Sequence, residues 1–355
     1  MIKIKLVIAD SDEVYVNRLI NFFNGSYNDK LEMYSFTTIE TLTEFISKNN
    51  VDVLIATESF GISTKEISEK IAFAYFSEAA SIDTINGIRT VCKYQKVDLI
   101  YKEILSLYSE RTTNVIGYKS DNGEITKIHT FLSCSGGTGS STVAAACSIN
   151  LSREGKKVLY LNLEQLGSTN LFFNADGAFD FGDVIYAIKS RKSNLILKLE
   201  STVKKDPNGV FFYDACKMPF DIMEMNNEDI KKLLDELRIA GTYDYIIIDT
   251  DFTLSKTLNT IIQYSNSLVF VSDGTEVANV KFKMAYEALK VLEEEKNISL
   301  FSKLTLIYNK FSSKGGKYIE NESISVLGGT PRYENATPIQ IVQQISEMGI
   351  FNKLK

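Results

Sequence analysis

The chain has 355 residues, room for two domains of ordinary size. Hydrophobic residues make up 44% and charged residues 24%, a balance that excludes a disordered or fibrous chain. The net charge of −6 denies sequence-independent nucleic-acid binding its usual electrostatic support, so no specific nucleic-acid partner is expected.

Residues 3–9 read as a buried strand running into Asp10-Ser11-Asp12, and a helix follows with Val16, Leu19, Ile20 and Phe23 on one face. A strand is expected near 31–36, a helix near 38–48, and a third strand over 51–56 that ends at Thr57. A further strand fits 71–76, just ahead of Ser77. A short one fits 90–94, with Lys93 near its end, and a helix over 97–109 closes the series. Alternation at this length implies a parallel sheet with helices on both faces. The segment 111–126 is polar and carries Ser-Asp-Asn-Gly, turn chemistry without periodicity, and reads as a linker.

A second alternating series starts at Lys127. Strands fit 128–134, 157–162, 209–213, 245–249, 267–271 and 304–308; helices fit 141–153, 180–190, 226–240, 253–264, 275–295 and 337–348. The expectation is therefore two doubly wound α/β domains: a flavodoxin-like one at 1–110, a linker at 111–126, and a larger one at 127–355 with a mainly parallel sheet. In the last helix Ile341, Val342, Ile345 and Met348 form an apolar stripe, but nearby cations appear only at Lys353 and Lys355. A membrane-seeking helix carries a basic polar face, so this one is expected to pack on its own domain, and direct membrane insertion is not expected. No secretory pattern opens the sequence and no apolar run is long enough to span a bilayer, so the protein is read as cytoplasmic. Cys92, Cys134, Cys147 and Cys216 form no CxxC pair, and His129, the one histidine, lies in an apolar segment and reads as structural.

The strand ending at Cys134 runs into Ser135-Gly136-Gly137-Thr138-Gly139-Ser140-Ser141-Thr142, and a helix rich in small residues follows. Glycines let the backbone wrap an anion with its N–H groups, and the helix adds the positive end of its dipole. The standard phosphate-binding pattern is GxxxxGK[ST]. Here Cys134 stands at its first glycine and Ser140 at its lysine, so context and downstream motifs carry the reading. Downstream, Tyr245-Ile246-Ile247-Ile248-Asp249 is a buried strand that delivers Asp249 to the edge where a Mg²⁺ shell would sit.

Taken together, residues 127–355 resemble the ParA/MinD group of deviant P-loop ATPases. Their loop KGGxGK[ST]T corresponds to 135–142, their DxD strand end to Asn162-Leu163-Glu164, their Walker B carboxylate to Asp249, and their Asn-Lys pair to Asn309-Lys310. The resemblance implies ATP and Mg²⁺ as cofactors, with Ser141 and Asp249 serving the metal. It implies that Asn309 and Lys310 touch the base, that Glu164 is a weak candidate for positioning the attacking water, and that the working form is a homodimer. Both loop lysines of the group are replaced here, by Ser135 and Ser140. Losing one preorganised donor costs roughly 10²–10³ in rate, so hydrolysis is expected to be very slow or absent. Lys281 or Lys283 could bring a charge from another element.

Residues 1–110 resemble a response-regulator receiver. Asp10 and Asp12 fall on its acidic cluster, Ser77 on its hydroxyl residue and Lys93 on its lysine, but Thr57 replaces the phosphate-accepting Asp. A hydroxyl cannot do aspartyl-phosphate chemistry, so this is read as a degenerate receiver site. The two halves together are similar to the TadZ/CpaE group of pilus-assembly proteins. That resemblance implies a localisation and assembly factor for a tight-adherence (Flp) pilus system, with partners in the pilus or secretion machinery, recruited to a cell pole or to the inner membrane face. Two alternatives are an active ParA/MinD-type ATPase in partitioning or division positioning, and a two-component response regulator with an ATPase output domain.

Overall fold

The computed structural model describes residues 3–62, 67–68, 70–111, 126–191, 194–296, 299–312, 314–319 and 324–355. The expected linker at 111–126 thus falls, except for Arg111 and Thr126, outside the described residues.

The first series runs β1 (Ile4–Ala9), α1 (Glu13–Ser26), β2 (Leu31–Phe36), α2 (Ile39–Lys48), β3 (Val53–Ala56), β4 (Ala72–Ser77), β5 (Thr84–Ile85), β6 (Ile88–Cys92) and α3 (Val97–Arg111). The second runs β7 (Lys127–Leu132), α4 (Ser140–Arg153), β8 (Val158–Asn162), α5 (Phe181–Ser190), α6 (Leu195–Thr202), β9 (Lys204–Lys205), β10 (Phe211–Phe212), α7 (Pro219–Met223) and α8 (Asn227–Ala240). It continues with β11 (Tyr245–Asp249), α9 (Lys256–Tyr264), β12 (Ser267–Ser272), α10 (Glu276–Lys296), β13 (Leu304–Tyr308), β14 (Ser325–Gly329) and α11 (Pro338–Ser346). Two compact units result: Met1–Gly117 with Tyr186–Thr202, and Tyr118–Ile185 with Val203–Lys355.

In the first unit the sheet order is β2-β1-β3-β4-β6-β5, parallel except for β5. β1 and β3 are apolar along nearly their whole length because both faces are covered, as in any doubly wound sheet. Helix α1 begins where the Asp12 carboxylate accepts the Tyr15 N–H at 3.0 Å, a side-chain N-cap. Between β4 and β6 the chain makes a two-strand hairpin whose turn holds Asn86 and Gly87 at positive φ, the Asn-Gly chemistry of a tight turn. Helix α6 belongs to this unit and packs along α3 with seven of its eight residues buried. Its Lys198 ammonium donates to Ser106 Oγ at 3.0 Å, and Glu200 pairs with Lys30 at 2.6 Å.

In the second unit the sheet order is β14-β13-β12-β7-β11-β8-β10-β9, parallel except at β9. β7 lies at the centre: the chain first fills one side with β8, β9 and β10, returns to β11 beside β7, and then runs outward on the other side through β12, β13 and β14. Ligands of such sheets sit beyond the carboxyl ends of the strands at that reversal. Helix α4 is an almost unbroken run of small buried residues, Val143 to Cys147, pressed between the sheet and α11. The apolar stripe of α11 is spent there: Val342 and Ile345 are buried in the same core, as expected for a helix packed on its own domain.

Candidate functional site

The loop after β7 is built by hydroxyls and left-handed glycines. Ser133 Oγ donates to Ser135 O at 2.6 Å and accepts the Ser135 N–H, while sharing a 2.7 Å hydrogen bond with the buried Thr138 hydroxyl. Gly137 has φ 79° and Gly139 φ 83°, a region that residues bearing a Cβ enter at a cost. At Gly139 a Cβ would also stand 2.4 Å from Asn309 Nδ2, so space and conformation both require glycine. Ser140, Ser141 and Thr142 form the first turn of α4. That turn has no side-chain cap and no acidic residue, so its N–H groups and the positive end of the helix dipole are kept for something else. The Ser140 hydroxyl is buried without a hydrogen-bond partner.

Beside the loop, β11 and β8 bring carboxylates together. Asp249 is fully buried and stands in register with Asn162. Its Oδ2 accepts the Tyr160 hydroxyl at 2.7 Å and the Asn162 amide at 3.0 Å, while Oδ1 has no partner. Asn162 also donates to Glu164 Oε2 at 2.9 Å, and Ser141 Oγ donates to Glu164 Oε1 at 3.2 Å. Burial, and then the Glu164 charge, hold the Asp249 carboxyl well above the ordinary range, only partly offset by the Tyr160 hydroxyl. An orphaned carboxylate oxygen raised in this way is short of a positive partner. Ser141, Asp249 and Glu164 form an all-oxygen donor set beside a phosphate-type loop, the chemistry that suits Mg²⁺. Among the described residues no cluster of three or more His, Cys, Asp or Glu forms an all-protein metal cage, so most of the coordination of such an ion would come from phosphate and water.

Asn309 and Lys310, implied as base contacts, are both turned onto the loop. Asn309 is buried, donates to Thr138 O at 2.6 Å and accepts the Thr330 hydroxyl. Lys310 Nζ donates to Gly137 O at 2.9 Å. Next to them an open recess of about 660 Å³ is lined by Asp273, Thr275, Lys310, Phe311 and Arg332. Three partners escaped the sequence reading: Tyr160, Ser133 and Thr330. For Tyr160 a signal existed, since a tyrosine inside an aliphatic buried strand needs a partner for its hydroxyl.

In the first unit the receiver residues lie at the carboxyl ends of β1, β3, β4 and β6, but Asp10 and Lys93 are taken up by each other and Ser77 and Thr57 by local hydrogen bonds. Asp10 is buried and paired with the nearly buried Lys93 at 2.6 Å, and its Oδ1 accepts the Asp12 N–H. Ser77 Oγ donates to Ala79 O at 3.1 Å, and Thr57 shares a hydrogen bond with Ser59 at 3.1 Å. Lys93 thus cancels the charge that a cation would need.

A six-stranded receiver-like sheet, and a larger sheet with a glycine loop and a strand-end aspartate at its reversal, define the class: a two-domain α/β protein, with a receiver-like domain first in sequence and a domain of the P-loop ATPase fold, its sheet mostly parallel, second. Residues 2–109 match the family model described as TadZ-like, receiver domain, and residues 126–301 match the model described as AAA domain. Within its class the chain therefore carries a TadZ-like receiver domain followed by an AAA domain. It is similar to the ParA family ATPase from Chlorobium tepidum TLS, at 19% identity over 64% of this chain and 95% of the other, with a TM-score of 0.49. It is also similar to a putative plasmid partition protein from Borrelia burgdorferi B31 bound to AMPPNP (21% identity, 65% and 100% covered, TM-score 0.46). A third is the septum site-determining protein MinD complexed with Mg-ADP from Pyrococcus horikoshii OT3 (17% identity, 63% and 95% covered, TM-score 0.46). Comparison with curated proteins yields no match.

Proposed function

We propose that the second domain binds ATP in the loop 135–142 and that the nucleotide-loaded protein dimerises. In this reading it serves as a localisation and assembly factor for a tight-adherence (Flp) pilus system, with little or no hydrolysis. One contrast carries the reading: the loop keeps its backbone cradle and its orphaned Asp249 oxygen, while serine stands at both lysine positions. Ser141 and Asp249 would hold Mg²⁺, which would supply positive charge to neutralise the phosphates. Binding needs the amides and the helix dipole, which are present. Fast turnover needs fixed positive charge at the transferring phosphoryl group, which the loop does not supply. Glu164, bonded to Ser141 and Asn162, would orient a water molecule, but the loop itself holds no lysine to support fast transfer.

Two measurements test this. Mixed with Mg-ATP, the purified protein should bind nucleotide and shift towards a dimer in sedimentation, with phosphate release far below 1 s⁻¹. Turnover on the order of 1 s⁻¹, within the range of working phosphoryl-transfer enzymes, would overturn the reading in favour of an active ATPase. In the source organism, deletion should abolish tight-adherence pili, and a fluorescent fusion should gather at one pole. Unaltered piliation in the deletion strain would refute the pilus role.

A further inference from the structure

The loop lacks both lysines, yet a lysine lies on it. Lys310 follows β13, and its ammonium is bonded to the carbonyl of Gly137, the middle glycine of the loop. Its Cε stands 3.6 Å from the place a Cβ would take on Gly139. The approach is built rather than incidental. Lys310 has φ 58°, a left-handed conformation that a residue with a Cβ enters only when its surroundings impose it. Those surroundings are named: Asn309 is pinned between Thr138 and Thr330, and the Phe311 N–H donates back to Thr330 O at 3.3 Å. The turn thereby aims the Lys310 cation across the sheet's carboxyl edge at the loop.

What the ammonium meets there is a poor counterpart. A peptide carbonyl is neutral, and among the described residues Lys310 carries no ion pair. A full negative charge attracts an ammonium more strongly than a carbonyl dipole does, so an anion in the adjoining cradle would draw the ammonium away from Gly137. A lysine head is a point charge on a flexible four-carbon stem and can make that short transfer. The buried, unpartnered Asp249 Oδ1 indicates independently that the cradle is built for a ligand that brings positive and negative charge together, as a metal-bound polyphosphate does. Lys281 on α10 is the other cation the loop senses. It pulls the Cys134 thiol down slightly, against the burial that pushes that thiol up to about 12.

We infer that Lys310 is the cation of the phosphate site, supplied by the β13–β14 connection in place of the two loop lysines, and not a base contact. This deepens the nucleotide-binding reading and rests on it. The inference is tested by measuring dissociation constants of Mg-ATP, Mg-ADP, adenosine and Mg-ITP by calorimetry for the full chain and for Lys310→Met, Lys310→Arg and Lys281→Met, with thermal melts to confirm folding. Lys310→Met should weaken ATP and ITP alike by roughly 10- to 100-fold, weaken ADP less, and leave adenosine unchanged. Lys310→Arg should retain most of the affinity, and Lys281→Met should leave the phosphate preference intact. A loss equal for ATP and adenosine, a loss confined to adenine nucleotides, or a preference abolished by Lys281→Met would overturn the assignment. Normal ATP binding by Lys310→Met would also overturn it while sparing the nucleotide reading. A wild-type chain that binds no nucleotide would sink both.

Discussion

Asp249 pays for its position with the stability of the ligand-free fold. Its carboxyl is raised above the ordinary range by burial and by Glu164, so the folded state holds the proton more tightly than the unfolded chain does. The linkage sign follows: ionisation is easier in the unfolded chain, and stability is lost as pH climbs from the ordinary carboxylate value towards the raised one. An amide keeps the acceptor that Tyr160 and Asn162 use and removes the charge. Asp249→Asn should therefore melt at a higher temperature than wild type in the absence of Mg²⁺, with a gap that widens between pH 5 and 8 in thermal scans. The same variant should lose Mg²⁺-dependent nucleotide binding. A variant that melts lower at every pH would show that the carboxylate is structural. The local signature of Asp249, an aspartate closing an aliphatic strand, was legible in the sequence. Its partnerless oxygen was not, because that depends on where Tyr160 and Asn162 point from the neighbouring strand.

At the scale of elements, β7 carries both the loop and a buried titratable group. Burial, aided by Lys127, pushes the His129 imidazole down to about 4, below its ordinary 6.5. In the unfolded chain the imidazole takes up a proton readily, so acid favours unfolding: stability is complete above about 6.5 and declines as pH falls towards 4, by up to about 3 kcal/mol. Denaturant titrations between pH 7 and 5 should show wild type losing stability faster than His129→Leu, whose profile should lack that one-proton slope. Parallel profiles would mean that the folded His129 takes up a proton as readily as the unfolded chain does, with the Leu354 backbone carbonyl as acceptor. The main strands and helices were readable from hydrophobic period, down to the edge strand β2 at 31–36; β11 at 245–249 was readable because two-sided burial demands a continuous apolar run. β14 was missed. Its Ser-Val-Leu-Gly-Gly stretch is mostly exposed at the sheet edge, so it owes its strand to pairing with β13 rather than to its own pattern. Helix α6 was missed as well, since eight residues buried on nearly every side give no amphipathic period.

For the molecule as a whole, α6 sets what can be taken apart. It follows the loop and Asn162-Leu163-Glu164 in sequence, yet it packs in the unit that begins at Met1, with Leu195, Ile196, Leu197 and Leu199 buried there. A fragment of residues 1–117 would leave the face of α3 that meets α6 uncovered, and would lose the Lys198–Ser106 and Lys30–Glu200 bonds. Exposed apolar surface of that kind promotes association. This fragment should aggregate or melt well below the full chain in circular dichroism scans, and adding a peptide spanning 186–202 should restore part of the loss. A fragment as stable as the full chain would show that α6 is an accessory.

By itself the sequence determined the two alternating series, the glycine loop between strand and helix, the loss of both loop lysines, the carboxylate at the end of β11 and the missing acceptor at Thr57. All of these are local: they follow from residue type, period and position at an element's end. Only the tertiary structure decided that Lys93 neutralises Asp10, that Asn309 clamps Thr138, that Lys310 lies on Gly137, and that α6 joins the first unit. Each of these joins residues far apart along the chain, and such contacts leave no local periodicity, since they are set by sheet order and by which side chains the packed helices turn inward.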